Sequence, residues 1–157
     1  MSNLTETNLK VGDPAPSFSG TDENGSAVQI SDFQGKKLVL FFYPKDNTPG
    51  CTKEVCNLRD SYETLIESGY VLLGVSADSQ KKHQNFIKKF DLPFHLLSDP
   101  DHQVIQAFGV WGRKKFMGRE YDGILRTTFV INEIGVIERI IKKVKTGSHS
   151  QQILTEA

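Results

Sequence analysis

Cys51 and Cys56 are the two cysteines of this chain, and they stand five apart in Thr48-Pro49-Gly50-Cys51-Thr52-Lys53-Glu54-Val55-Cys56. The stretch follows an apolar run and opens a helical pattern, so it reads as the passage from a strand into a helix. A thiol at a helix start meets free backbone N–H groups and the positive end of the helix dipole, both of which favour thiolate. Such a sulfur is a nucleophile that oxidants attack reversibly, and a second sulfur nearby can then close a disulfide. A free thiol is about 3% ionised at pH 7, and raising that to about 90% takes ~3.4 kcal/mol. The dipole contributes roughly 0.3–2 kcal/mol, so a cation has to supply the rest. Arg126 is the strongest candidate, because it heads Thr127-Thr128-Phe129-Val130-Ile131, where a permanent charge is out of place in a buried strand. Its other reading is an end-of-strand charge reaching water; Lys45, Lys53 and Arg113 are further cations to consider.

The spacing of the two sulfurs poses a geometric problem. Residues five apart on an ideal helix point about 140° apart with Cα atoms ~8.6 Å from each other, whereas disulfides rarely span more than ~7 Å. If both belong to one helix, they can bond only after its first turns unwind. Thr48, Gly50, Thr52 and Asn57 are weak helix formers, so the segment permits this. Pro49 suits the first helical position, which leaves Thr48 either as the cap or with its hydroxyl facing the reaction centre.

The elements that must position these residues follow from the apolar pattern. Lys37 to Tyr43 and Val71 to Val75 are continuous apolar runs, as expected of strands buried on both faces. Pieces around Phe18 and Ala27 to Ile30 flank Asp22-Glu23-Asn24-Gly25 and predict a hairpin. Val55, Leu58, Tyr62, Leu65 and Ile66 continue the stripe from Cys51 as one helix ended by Gly69. A helix from near Ser79 carries Phe86, Ile87 and Phe90, with His83 read as packed or capping. His95 to Leu97 is a short strand, and Asp99-Pro100 reads as cap and first-turn proline of a helix through Val104, Ile105 and Phe108. Gly109 to Gly123 lacks clear periodicity and reads as ordered loop. Leu125 to Ile131 and Val136 to Val144 form an antiparallel pair, and Ser148 to Leu154 a last helix. The pattern is an α/β fold with a mixed sheet, and the loop from Tyr43 to Cys51 leaves the carboxyl end of a central strand, where open sheets carry their chemistry.

A length of 157 residues suits one domain, taken as residues 11–157 behind a polar, flexible stretch at residues 1–10. Nineteen basic residues balance nineteen acidic ones, and the basic runs at residues 112–115 and 142–145 have no interleaved aromatics, which argues against a nucleic-acid partner. No stretch approaches the roughly 18 apolar residues of a membrane span, and the first ten residues have no signal-peptide core, so cytoplasm is the expected compartment. His83, His95, His102 and His149 lack the spacing of a zinc site, and no metal or cofactor is expected.

Tyr43-Pro44-Lys45-Asp46-Asn47-Thr48-Pro49-Gly50-Cys51 through Cys56 resembles the active-site segment of the peroxiredoxins of the bacterioferritin comigratory protein or Q type, and the likeness extends from about Val11 to Leu154. Pro44, Thr48 and Cys51 match the family's Pro-x-x-x-Thr/Ser-x-x-Cys pattern, Arg126 its distant arginine, and Cys56 the resolving position five residues on. The resemblance implies a thioredoxin-like fold with an N-terminal β-hairpin extension. It further implies a thiol peroxidase acting on hydrogen peroxide and alkyl hydroperoxides. Cys51 would be peroxidatic and Cys56 resolving, with Arg126, the Thr48 hydroxyl and the Cys51 N–H as donors to the breaking O–O bond. Pro44 would shield the thiolate. The Cys51–Cys56 disulfide would be recycled by thioredoxin or a similar dithiol. A monomer fits, and a dimer is compatible. Two rival readings are a dithiol oxidoreductase of protein disulfides, which expects Cys-x-x-Cys, and a redox-regulated binding protein or chaperone exposing Val55 and Leu58.

Overall fold

The computed structural model describes residues 7–155. In chain order the elements are β1 (Ser19–Asp22), β2 (Ala27–Gln29), a 3₁₀ turn (Ile30–Phe33), β3 (Lys37–Phe42), α1 (Pro49–Asp60), α2 (Tyr62–Glu67), β4 (Tyr70–Ser76) and α3 (Gln80–Phe90). There follow β5 (His95–Ser98), α4 (Gln103–Ala107), β6 (Trp111–Phe116), β7 (Arg119–Ile124), β8 (Thr127–Ile131), β9 (Ile137–Ile141) and α5 (His149–Thr155). Seven strands form one sheet in the order β2-β1-β5-β4-β3-β8-β9, with β3–β4 and β4–β5 parallel and the other pairs antiparallel. The parallel pairs are those joined through helices, since a short turn cannot bring a strand back in the same direction.

β3 has no polar face because both of its faces are interior. Leu38, Leu40 and Phe42 enter a core with Phe108 and Phe129, while Val39, Phe41 and Tyr43 enter a second core with Val55, Leu58, Phe86 and Ile153. Cys51 belongs to this second core. The mixed sheet with flanking helices and an N-terminal hairpin is the architecture the sequence pattern predicts. Among the described residues no helix is long and apolar enough to cross a membrane.

Four local expectations are corrected. The helix read from Cys51 through Ile66 is two helices, broken at Ser61, and Ile66 is exposed. Gly109 to Gly123 is largely the hairpin β6–β7, closed by Met117 and Gly118, both at positive φ as a two-residue hairpin turn requires. α4 begins only at Gln103; Asp99 still caps it, accepting from the Gln103 and Ile105 N–H groups (3.0 and 2.8 Å), but across an intervening turn that contains Pro100. β9 stops at Ile141, short of Val144. Of the stretch expected to be flexible, residues 1–6 lie outside the described residues, whereas Thr7 is buried and donates to the Phe108 carbonyl (2.6 Å).

Candidate active site

The loop from β3 to α1 is held from behind by buried polar groups. The Tyr43 hydroxyl donates to Asp46 Oδ1 (2.6 Å), His83 Nδ1 pairs with Asp46 Oδ2 (2.7 Å), and His83 Nε2 donates to the Leu97 carbonyl (3.1 Å). Asp78 Oδ2 accepts from the Asp46 N–H (2.8 Å) and the Ser76 hydroxyl (2.7 Å). Burial, then the Asp46 carboxylate, holds the Tyr43 hydroxyl well above the ordinary phenol pKa. Each of these groups is paired, as buried polar groups must be to avoid a large desolvation cost. The loop therefore leaves β3 on a rigid footing, turns through half-buried Pro44 and left-handed Asn47, and delivers Thr48 at the start of α1.

Thr48 has the extended backbone of an N-cap and Pro49 opens the helix, but the Thr48 hydroxyl donates to the Lys45 carbonyl (2.8 Å) instead of capping. The first intrahelical bond runs from the Thr52 N–H to the Thr48 carbonyl (2.8 Å), which leaves the Cys51 N–H among the unpartnered donors of the first turn. Cys51 is buried, at 0% exposure, and its sulfur lies within electrostatic reach of the Arg126 guanidinium, whose charge it favours. Gly50 makes that approach possible, because a Cβ there would lie 3.2 Å from Arg126 Nη2. Burial works against the guanidinium charge, but Cys51 and then Glu54 outweigh it, so the Arg126 pKa is raised. The cation predicted from its odd place before a buried strand is thus brought to the sulfur. Full burial also means that an oxidant reaches Cys51 only when the residues that cover it yield.

Cys56 lies on the same helix, half-buried, and both thiols are free. The two sulfurs therefore occupy different faces of an intact α1. Of the other cations considered, Lys45 and Lys53 are exposed, and Arg113 is spent on Glu120 and Asp122 (3.4 and 3.2 Å).

Three residues near the sulfur escaped the sequence reading. Glu54, fully buried, accepts from Arg126 Nη1 (2.6 Å). Its signal was available: three residues after Cys51, it is a carboxylate inside the apolar stripe of α1. His149, at the start of α5, is also fully buried; its Nδ1 donates to Gln152 Oε1 (2.8 Å) and its Nε2 accepts from the Thr128 hydroxyl (2.8 Å). Among the described residues, Glu54 Oε2, 3.8 Å from His149 Nε2, has no hydrogen-bond partner. Lys114, on β6, is the third; its ammonium feels the charges of Arg126 and Cys51.

Burial pushes Glu54 up to about 7, against the pull of Arg126, and pushes His149 down to about 4, with Arg126 and Arg139 adding to the effect. A raised carboxyl stabilises the fold fully below its unfolded pKa near 4.5, and that contribution is lost as pH rises through about 7. The depressed His149 has the opposite sense: its contribution is present above about 6.5 and lost as pH falls through about 4. In the wild type the two dependences largely cancel. In Glu54→Gln only the His149 dependence survives. Urea unfolding across this range should therefore show the variant gaining on the wild type by on the order of 3 kcal/mol from acid to neutral pH. A difference independent of pH would assign the titration elsewhere.

Comparison with known proteins agrees with this geometry. Residues 11–140 match the AhpC/TSA family. The "Putative peroxiredoxin bcp" of Haemophilus influenzae is 53% identical over 146 residues, covering 93% of this chain and 94% of that protein. "Peroxiredoxin Bcp" of Escherichia coli K12 is 48% identical over 146 residues, with the same coverage. The structure of the Xanthomonas campestris bacterioferritin comigratory protein, described as bearing on its alkyl peroxide reduction activity through a trapped intermediate, superimposes with a TM-score of 0.84. It is 33% identical over 95% of each chain. The family match and these relatives, together with a cysteine at a helix start beside an arginine, place the chain in the AhpC/TSA family, among the peroxiredoxins of the Bcp type.

Proposed function

We propose that this peroxiredoxin reduces hydrogen peroxide and alkyl hydroperoxides through a Cys51 sulfenic acid and a Cys51–Cys56 disulfide. The observation that carries the reading is the Arg126 guanidinium set against the first turn of α1, beside the Cys51 sulfur. The Cys51 thiolate attacks the terminal peroxide oxygen; an S–O bond forms, the O–O bond breaks, and the departing alkoxide or hydroxide takes a proton from solvent. Sulfur loses two electrons and the peroxide gains them. A larger thiolate fraction alone accounts for little of the rate, since nucleophilicity falls as the thiol becomes more acidic. The barrier is lowered by donors aimed at the oxygens as charge develops on them, Arg126 and the Cys51 N–H foremost. The Thr48 hydroxyl spends its proton on Lys45, so it serves the peroxide by accepting the O–H of the attacked oxygen. Pro44 shields the sulfur.

The Cys56 thiol then attacks the sulfenic sulfur, an S–S bond forms and water leaves. The helical geometry requires α1 to open between the two residues, and its reclosure follows reduction by an outside dithiol of the thioredoxin kind, in a thiol-reducing compartment such as the cytoplasm. Stopped-flow mixing of the reduced protein with hydrogen peroxide should show oxidation far faster than that of a free thiol. The product should have lost both thiols and two hydrogens of mass per chain. Hydrogen exchange of that product should show lost protection over Gly50 to Asn57. A reaction at free-thiol speed would overturn the peroxidase reading, and an α1 still fully protected in the disulfide form would overturn the opening.

A further inference from the structure

Glu54 occupies the turn of α1 between the two sulfurs, after Cys51 and before Cys56 in the same helix. It is wholly buried, and its Oε1 accepts from Nη1 of Arg126 (2.6 Å), the residue immediately before β8. One carboxyl thus clips the stretch that must unwind to the sheet that stays in place. Closing the disulfide means undoing this clip, because unwinding the helix from Cys51 to Cys56 carries Glu54 out of its bond and into water.

The surroundings of the other carboxyl oxygen show in which state the clip is held. Oε2 is 3.8 Å from His149 Nε2 and bonded to nothing among the described residues. Gln152 fixes the tautomer of that ring: its Oε1 accepts from the Lys145 N–H (2.9 Å) and its Nε2 donates to the Lys143 carbonyl (2.9 Å). An amide oxygen so oriented only accepts, so His149 Nδ1, 2.8 Å from it, carries the hydrogen. The neutral ring then turns a lone pair at Nε2 toward the Thr128 hydroxyl and toward Glu54. An ionised Oε2 would meet it acceptor to acceptor in a dry space, whereas a protonated Oε2 has a donor to offer. Burial, which lifts this carboxyl to about 7 against the pull of Arg126, agrees with that accounting. The other ionisable groups about the pair are Arg139 of β9, whose charge joins burial and Arg126 in keeping the ring neutral, and Cys51, across Arg126.

We propose that Glu54 is a positioning residue of the resolving step, a proton-holding clip that keeps Cys51 and Cys56 apart while it is bonded to Arg126 and that gives its proton to solvent when α1 opens. The sulfur chemistry is unchanged: the Oε2–H bond breaks, water takes the proton, and reclosure of the helix takes one back. The buried carboxyl holds its proton more tightly than the opened one. Its preference for the closed helix is therefore complete below about 4.5 and lost as pH rises through about 7, so opening becomes easier toward neutral pH. The inference rests on the Cys51–Cys56 disulfide of the proposed function and not on peroxide as the oxidant.

The test equilibrates the full chain with reduced and oxidised dithiothreitol from about pH 5 to about pH 8. Thiol trapping and intact mass give the fraction with both thiols lost, for the wild type, Glu54→Gln and Glu54→Ala. Glutamine copies the protonated carboxyl, with an oxygen for Arg126 and an N–H for His149, and has no proton to release. Protons of the two thiols and of His149 are common to all three proteins and cancel in ratios of their exchange constants. The constant for disulfide formation in the wild type, relative to Glu54→Gln, should rise at least about tenfold from pH 5 to pH 8. The ratio of the two variants should stay within about twofold of its starting value, and Glu54→Ala serves as the reference if glutamine disturbs the fold. A wild-type ratio flat in pH would overturn the proposal, since a merely structural contact shifts the constant equally throughout. A protein with the expected pH signature that reduces peroxide no faster than a free thiol would sink the peroxidase reading and leave the clip standing. No intramolecular disulfide at any pH would remove the resolving assignment and the clip together.

Discussion

Cys51→Ser should reduce peroxide turnover to the background of peroxide reacting with the reductant alone, because a serine hydroxyl offers no accessible anion and no reversible oxidation state. Cys56→Ser should behave differently. It retains the sulfur that meets peroxide, so one equivalent is consumed at close to the wild-type rate, after which the enzyme stalls as sulfenic acid and further peroxide carries it to sulfinic acid. Trapping with dimedone and intact mass distinguish the two products. The separation is sharp because Cys51 is buried beside Arg126 while Cys56 is half-buried further along α1. If Cys56→Ser cycled normally with thioredoxin, the resolving assignment would be wrong, whereas residual turnover in Cys51→Ser would dismantle the whole scheme.

Arg126→Ala should cost both rate and stability, through different partners. Loss of a fixed, charged donor at the breaking bond is expected to slow peroxide reduction by about 10²–10³-fold. The same change leaves Glu54 buried with no cation (2.6 Å from Arg126 Nη1 in the native protein), and breaking a buried pair from one side costs roughly 3–5 kcal/mol. That second cost depends on pH. Glu54 sits at about 7 even with Arg126 present, so below that range it is already protonated and loses less when its partner goes. Urea unfolding should therefore find Arg126→Ala markedly less destabilised near pH 5 than near pH 8. The double variant Arg126→Ala, Glu54→Gln should regain much of the stability at pH 8 and none of the rate. Recovery of rate in the double variant would mean that Arg126 acts by neutralising Glu54 and not on the peroxide.

These contrasts mark what could be read from sequence and what could not. β3, β4 and the β8–β9 pair were legible because a strand buried on both faces leaves an unbroken apolar run. Cys51 was legible because proline, glycine and a helical stripe locate the helix start. Arg126 was visible as a charge in the wrong company. The hairpin β6–β7 was missed because most of it faces solvent: its pattern alternates charge against charge, Arg113 with Glu120 and Asp122, and offers no apolar period. Met117-Gly118 between two six-residue runs was the available cue. Lys114 was missed for the same reason, since only the strand assignment turns it inward. The break at Ser61 was missed because the stripe continues across it, Tyr62 and Leu65 still packing on the second core. His149 carried no sequence signal, because its neighbours Glu54 and Thr128 lie far from it along the chain.

Asn57, one residue past Cys56, belongs to α1 but serves α5: its Oδ1 accepts from the Ser150 N–H (2.7 Å) and its Nδ2 donates to the Gly147 carbonyl (3.2 Å). The last helix of the molecule is thus buttoned to the very turn that must come apart before the sulfurs can meet. Opening that turn unfastens the tail, and reclosing it fastens the tail again. A label near the carboxyl terminus, far from the chemistry in sequence, would then report each catalytic round as a change in its own mobility.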